Sequence, residues 1–440
     1  MPRSTRCLLA ITLVAASATA QVRLPSIPLP AAPLQALPQT LDPVQRGSLD
    51  QLSALRRLEI TRLVRANRQL VDTDAAGEPV VRNEIVGLSP SDAALDRARL
   101  LGFTVDRERS IGGMNIRVVV FRAPQGMSTK KALRTLREAD PGGSYDYNHI
   151  YSGSGMLAYS GSGIVTMGIS AQVPASSIPT AANPGQSRVR IGLLDTGVDV
   201  THPVFRESIV HAWGCGDRAI PAAHGTAVAS LLIGRSDAFH GVRPDAELFA
   251  ADVYCGRPTG GAVDALVAAF GWLVQEKVPV INVSLVGAKN AMLERVIAAL
   301  IAGGYIIVAA VGNDGPAAPP LYPASYANVV GVTAVDAHQH VLIEAARGPQ
   351  VMFAAPGADL AAAASSRTYA AVRGTSFAAP FVAALLASGL TGPSSADAAA
   401  AIDALAKSAV HLGRPGRDLT YGFGLVGADY RIDPAPLIHN

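Results

Sequence analysis

The sequence carries little net charge, few cysteines and, past its first residues, no unbroken apolar run long enough to span a bilayer. Its 37 Lys and Arg residues nearly cancel 34 Asp and Glu, leaving a formal charge of +3 in 440 residues. With no dense basic tract, it is not built to bind nucleic acid by neutralising phosphates. Charged residues make up 16% and hydrophobic ones 49%, a balance that excludes a disordered chain. The longest tempting stretch, Val296 to Gly312, is interrupted by Gly303-Gly304 and ends in Asn313-Asp314-Gly315. It reads as a buried helix stopped at the glycines and a buried strand, Tyr305 to Ala310. No transmembrane segment is expected in the mature chain.

What is present is ordered along the chain. Residues 1–20 carry Arg3 and Arg6, an apolar run from Cys7 to Ala16, and Ala18-Thr19-Ala20. That is the layout of a signal peptide cut after Ala20, which places the protein in the periplasm or outside the cell. Removing it leaves Cys215 and Cys255, a candidate disulfide in an oxidising compartment, with two buried free thiols as the alternative. A Pro-rich linker runs to about Gln45, and Leu52, Leu55, Leu58 and Leu63 sit at helical spacing within a helix from Ser48 to Leu70, so 21–79 is linker plus helix.

Residues 80–151 read as a βαββαβ unit, the ferredoxin-like pattern. Its strands are Val80 to Val86, Phe103 to Ser110, Met114 to Phe121 and Tyr145 to Tyr151. One helix is capped by Ser89 or Ser91 and ends near Leu101, and another runs from its cap Ser128 to Ala139. A Gly/Ser/Ala/Pro-rich linker fills 152–187. In 188–434 short apolar runs alternate with helical patterns, the strands being Val189 to Leu194, Glu247 to Val253, Val278 to Ser284, Tyr305 to Ala310 and Val329 to Val335. This alternation predicts a parallel sheet with helices on both faces. Chemistry in such a sheet collects at the carboxyl ends of the strands.

Four motifs fall at such ends. Asp195 heads Asp195-Thr196-Gly197 after the first strand, where an Asp can merely cap a turn. An Asp-Thr-Gly triplet also suits an aspartic protease, but that chemistry needs a second carboxylate motif that this sequence lacks. His224 opens the small-residue helix start His224-Gly225-Thr226-Ala227, where it is either a satisfied surface residue or an imidazole over a tightly packed helix. Ser376, in Gly374-Thr375-Ser376-Phe377-Ala378-Ala379-Pro380, is either an N-cap or a nucleophile. Beside a helix N-terminus, a free backbone N–H and the positive dipole end would stabilise an oxyanion. Pro380 is expected in the first turn, where its missing N–H costs little. Asn313, in Gly312-Asn313-Asp314-Gly315, is a turn residue or a second oxyanion donor.

In this order, Asp, His and then Ser, the motifs resemble those of the subtilisin-like (S8) serine peptidases over about Arg188 to Gly427. Pro279-Val280-Ile281-Asn282-Val283-Ser284-Leu285 resembles that family's substrate-binding edge strand. Tyr322-Pro323-Ala324-Ser325-Tyr326 and Phe353-Ala354-Ala355-Pro356-Gly357 resemble two further signatures. The resemblance implies an endopeptidase that acts on proteins or peptides through Asp195, His224 and Ser376, with Asn313 in the oxyanion hole. Ser284, Leu285, Val286 and Gly287, with Gly312, would bind the substrate's main chain. It also implies that 80–151 is a prodomain, an intramolecular chaperone and inhibitor, removed by a cut between Tyr151 and Ser187. A permanent accessory domain is the other reading.

Two departures bear on specificity and cofactors. Val286 stands where the family usually has Gly, which would narrow the pocket for the residue before the scissile bond. The loop Arg235 to Gly241 is shorter than the family's calcium loop and offers only Asp237 as an acid. No metal is therefore expected there, and no cofactor elsewhere. The competing function is a catalytically inactive protein that displays a peptide groove, against which all four catalytic positions hold the required residue types.

Overall fold

The structure, a computed structural model, describes residues 43–153, 188–216, 220–364 and 367–438. The expected signal peptide, the Pro-rich linker up to residue 42 and the linker from residue 154 lie outside the described residues. Helix α1 (Pro43–Ala66) begins and ends somewhat earlier than its leucine spacing suggests. It leads into β1 (Val71–Thr73) and β2 (Pro79–Leu88), which pair antiparallel, so this sheet starts before residue 80. There follow α2 (Asp92–Leu100), β3 (Thr104–Ile111), β4 (Ile116–Arg122), α3 (Thr129–Ala139) and β5 (Ser144–His149). Ser91 caps α2 by accepting from Ala94 N, and Ser128 caps α3 by accepting from Lys131 N. Each oxygen satisfies an N–H that has no partner within its own helix.

The strand order β1-β2-β4-β3, with β5 on the far side of β2, makes an antiparallel α+β region with ferredoxin-like connections. Strand side chains alternate between faces, and here both faces are apolar. Ile85, Val119, Phe121 and Tyr145 pack under α2 and α3 with Leu95 and Leu133. Val86, Ile111, Val118 and Val120 turn the other way, into a cluster shared with the second region of the chain. Each such side chain, fully buried, contributes about 1.5–3 kcal/mol.

A two-residue strand, β6 (Ser152–Gly153), ends this region. The second region contains β7 (Arg190–Asp195), β8 (Ile209–Trp213), α4 (Ala223–Ile233), β9 (Glu247–Asp252), α5 (Val263–Gln275), β10 (Val280–Val283), β11 (Leu285–Val286), α6 (Ala291–Ala302), β12 (Ile306–Ala310) and β13 (Val330–Val335). It continues with β14 (Val351–Pro356), the hairpin β15 (Leu360–Ala363) and β16 (Tyr369–Val372), α7 (Thr375–Leu386), α8 (Ser395–Ser408) and the short α9 (Ala435–Ile438). Seven strands form one parallel sheet in the order β14-β13-β12-β10-β7-β9-β8. Its central strands are buried throughout, as the continuous apolar runs predict. The helix expected over Val296 is α6, stopped at Gly303 and followed by β12. No described helix is long and apolar enough to cross a membrane.

The antiparallel region packs along α5 and against the start of α6. Phe270 and Leu266 of α5 lie in the shared apolar cluster. Around it Asp264, in the first turn of α5, accepts from Arg107 Nε at 2.6 Å and from Asn148 Nδ2 at 2.7 Å. Arg107 also reaches Glu84 with both terminal nitrogens, at 2.7 and 3.0 Å. At α6, Asp146 Oδ2 accepts from Ala291 N at 2.8 Å, placing an acid where the helix N-terminus is electropositive. His149 links Asp74 (3.2 Å) to the α6 cap Asn290 (3.0 Å).

Candidate active site

Strand β7 ends on Asp195, whose side chain is fully buried. Its Oδ1 accepts from Thr196 N at 2.6 Å and lies 2.7 Å from His224 Nδ1. With this partner the imidazole carries its proton on Nδ1, leaving Nε2 as the basic nitrogen. The imidazole is held from the helix side as well. Gly225 N, at the start of α4, donates to Thr196 Oγ1 at 2.8 Å, and a Cβ at Gly225 would collide with Thr196. That close approach needs a glycine, and it fixes His224 over the end of β7. Both Asp195 Oδ2 and His224 Nε2 are buried without a hydrogen-bond partner among the described residues.

Ser376 lies in the first turn of α7, the buried central helix. Its backbone start is fixed by Gly374 at φ 135°, a conformation that disfavours any side chain. Pro380 does not sit in the first turn as expected, because the helix already begins at Thr375. Its missing N–H deprives the Ser376 carbonyl of its i+4 helical donor. That carbonyl instead accepts from Ser284 Oγ at 2.9 Å, while Ser376 Oγ donates to the Ser284 carbonyl at 3.1 Å. Asn282 Nδ2 completes the set by donating to Ser284 Oγ at 2.9 Å. The serine pair thus joins α7 to the strand edge. Ser376 Oγ points along this link, and Nε2 of His224 is left open.

Asn313 follows β12, and its Oδ1 accepts from Thr375 N at 3.1 Å while Thr375 Oγ1 accepts from Gly312 N at 3.1 Å. The amide oxygen is therefore engaged, and the Nδ2 end is the one free to turn toward a substrate. Gly312, at φ 102°, abuts Leu321, so a side chain there would be strained and crowded.

The expected binding strand is occupied by the protein's own chain. β11 pairs antiparallel with β6, Leu285 opposite Gly153 and Val286 opposite Ser152. Gly153 passes over the imidazole: a Cβ built on it would stand 3.3 Å from both Cε1 and Nε2 of His224. Two residues upstream, Tyr151 is fully buried. Its hydroxyl donates to Ala288 O at 2.6 Å, and its carbonyl accepts from Tyr254 OH at 3.0 Å. Gly287 leaves room for this ring, since a Cβ there would meet it at 2.7 Å. Burial pushes the hydroxyls of Tyr151 and Tyr254 well above their ordinary value. Sequence reasoning selected Gly287 but not Tyr151 or Tyr254, which carry no motif of their own.

On the other side of His224 a cavity of about 320 Å³ is lined by Thr196, Ala227, Ala363, Val372 and Phe377, with the Phe377 ring 5.4 Å from the imidazole. Cys215 and Cys255 form a disulfide between the loops that follow β8 and β9. Asp252, at the end of β9, lies beside it and accepts from the N–H groups of Tyr254 and Cys255, each at 2.9 Å.

The subtilase family model matches residues 186–424. Subtilisin DY from Bacillus licheniformis is 29% identical over 251 residues, 55% of this chain and 90% of that protein. Subtilisin E from Bacillus subtilis is 28% identical over 312 residues, 68% of this chain and 77% of that one. The minor extracellular protease Epr of Bacillus subtilis is 29% identical, over 46% of this chain and 32% of its own length, so the chain spans about a third of that relative. Among solved structures, fervidolysin from Fervidobacterium pennivorans, a keratinolytic enzyme related to subtilisin, superposes with a TM-score of 0.63 at 19% identity. The match covers 82% of this chain and 62% of fervidolysin.

Proposed function

Since the chain belongs to the subtilase family of serine peptidases, we propose that it is an exported endopeptidase, made as a precursor that cuts itself and completed by Asp195, His224 and Ser376. Ser376 Oγ turns from the Ser284 carbonyl to His224 Nε2 and attacks the carbonyl carbon of a peptide bond as Nε2 takes its proton. Asp195 holds the Nδ1–H and stabilises the imidazolium. The oxyanion accepts from Asn313 Nδ2 and Ser376 N at the positive end of α7. The C–N bond then breaks as His224 returns the proton to the leaving amine. Water, deprotonated by the same imidazole, hydrolyses the acyl-enzyme and restores Ser376. Ser284, Leu285, Val286 and Gly287 receive the substrate as an added antiparallel strand.

On this reading 80–151 is the prodomain, with α1 and β1 packed against it, and β6 leads the chain's own scissile bond to the site. The cut falls within the few residues after Gly153. The Sec-type N-terminus directs the precursor out of the cytoplasm, to the periplasm or the medium. The observation that carries the reading is the 2.7 Å bond from buried Asp195 to His224, whose open Nε2 lies under Gly153.

The test compares wild type with Ser376→Ala, both expressed as secreted precursors. Wild type should lose residues 1–20, then a pro-region ending just beyond Gly153. It should also digest casein and take a fluorophosphonate label. Ser376→Ala should stay full-length and unlabelled, because losing this nucleophile in subtilisin lowers kcat by about 10⁶. The Ser376–Ser284 link favours one second reading, an inactive peptide-binding protein. It stands if wild type neither cuts nor takes the label.

A further inference from the structure

The segment that leads to Gly153 lies between two edges, and β11 is only one of them. Along the other, Tyr151 N donates to Gly261 O at 2.9 Å, and Ile150 bridges antiparallel to Ala262. Two residues paired this way normally exchange both bonds, so the Tyr151 carbonyl would look to Gly261 N. That N–H is already engaged by Val253 O at 2.8 Å. Tyr254 supplies the missing donor from its side chain, its hydroxyl reaching the Tyr151 carbonyl at 3.0 Å. Burial raises this phenol well above its ordinary value, which keeps it protonated and able to donate.

The loop that presents Tyr254 is firmly mounted. Cys255 at φ 50° and Cys215 at φ 58° both adopt left-handed backbone. A non-glycine residue keeps such a conformation only where its surroundings enforce it. Their disulfide ties the loop after β9 to the loop after β8, one residue from Tyr254. Gly260 packs on the Tyr254 backbone, where a Cβ would stand 2.4 Å from Tyr254 Cα. A Cβ at Gly261 would meet Tyr151 O at 2.3 Å and Tyr254 Cζ at 3.3 Å. The ring therefore rests on two glycines, with the disulfide fixing the chain beside it.

We propose that Tyr254 is a substrate-binding residue whose hydroxyl donates to a main-chain carbonyl of the bound peptide, and that the Cys215–Cys255 disulfide holds it in place. The carbonyl belongs to the residue two before the one that lies over His224. The proposal rests on the peptidase reading above, in which residues 150–153 stand where a foreign peptide lies. Because the contact is to main chain, it adds affinity to any peptide long enough to reach it, whatever its side chains. A dithiol that reduces the disulfide should weaken the contact. In that exchange the reductant's two thiols give up two hydrogens, the S–S bond opens to two cysteine thiols, and the reductant closes to its own disulfide. Cys255 is then free to leave its left-handed conformation and carry Tyr254 out of reach.

The experiment uses mature enzyme and one parent peptide, shortened from its N-terminus to leave from six residues down to one before the scissile bond. Wild type should show a step at the length that first supplies the carbonyl. There kcat/KM should rise about tenfold, an increment of about 1.4 kcal/mol, mostly through KM. In Tyr254→Phe the ratio of the longer to the shorter peptide should lose that step. Wild type reduced with dithiothreitol should lose it too, as should Cys215→Ala combined with Cys255→Ala. Reduction should leave the ratio in Tyr254→Phe where it was. If Tyr254→Phe keeps the step, or wild type shows none at any length, the assignment of Tyr254 fails. Reduced wild type that keeps the step, or loses activity equally at every length, overturns the part given to the disulfide, even should the cysteine variant not fold. An enzyme that cuts no peptide of any length instead sinks the peptidase reading.

Discussion

Gly153 lies across the ring of His224, so near that the smallest side chain added to it would stand 3.3 Å from the basic nitrogen. The end of the antiparallel region thus covers the imidazole with bare backbone. A β-branched residue there meets the ring and also strains the two-residue pairing of β6 with β11. Gly153→Val should slow precursor shortening by about tenfold or more, equivalent to at least about 1.4 kcal/mol of lost positioning. Mature enzyme, once formed, should be unaffected. Pulse-chase of the precursor measures the first, casein turnover the second. Unchanged shortening would mean that β6 does not lead the scissile bond to Ser376.

Asn313 has two tasks that one substitution separates. Its Oδ1 accepts from Thr375 N, and its Nδ2 is the proposed oxyanion donor. Asn313→Asp keeps an oxygen for Thr375 and removes the donor. The expected result is a kcat at least 10²–10³ lower, the cost of losing such a donor in subtilisin, with KM and Tm little changed. A fall in Tm together with a small change in kcat would make Asn313 a structural turn residue.

Val286 is buried and pairs with Ser152 at the groove edge. Mature enzyme should prefer small residues before the scissile bond, and Val286→Gly should extend this to Phe and Leu by about tenfold or more, the scale of one or two methylenes in a pocket. A peptide-library profile reads the change. Wild type that already favours Phe, Leu or Arg at that position would defeat the assignment.

Burial pushes Asp252 above its ordinary value of 3.8, the Cys255 and Tyr254 N–H groups pull against it, and the charge of Asp195 adds to the rise. The folded protein therefore binds this proton more tightly than the unfolded chain. The resulting stabilisation is complete below 3.8 and is lost as pH rises through the higher folded value. Asp252→Asn keeps an acceptor for the two N–H groups and removes the titration. Its unfolding free energy should gain on wild type as pH climbs through that window, followed by urea denaturation in the Ser376→Ala background. A gap that narrows with rising pH would contradict the assignment.

The parallel sheet was legible because buried strands need continuous apolar runs, and β7, β9, β10, β12 and β13 have them. The caps Ser91 and Ser128 were legible because a side-chain oxygen before a helix has one evident use. β15 and β16 were not, since Leu-Ala-Ala-Ala and Tyr-Ala-Ala-Val have no strand signature until packing supplies it. β8 lies at the sheet edge, half exposed, with a pattern too weak to read. The four catalytic candidates were marked by their neighbours. The link from Ser376 to Ser284, the seat of Tyr151 and the reach of Tyr254 to its carbonyl join distant residues, and no local pattern announces them.

The pairing of β11 with β6 also bears on how such a protein can change. On the proposed reading its groove is encoded once in the binding strand and again, as a complement, in the segment that pairs with it. A mutation at Val286 that altered the proposed pocket would meet Ser152 and Gly153 of its own chain before any foreign peptide. On that reading, selection on substrates is thereby filtered through maturation, and the two segments drift as a matched pair. An engineer escapes that bond by supplying the pro-region as a separate, unaltered polypeptide, so that the altered groove is judged by folding help and by substrate in separate steps.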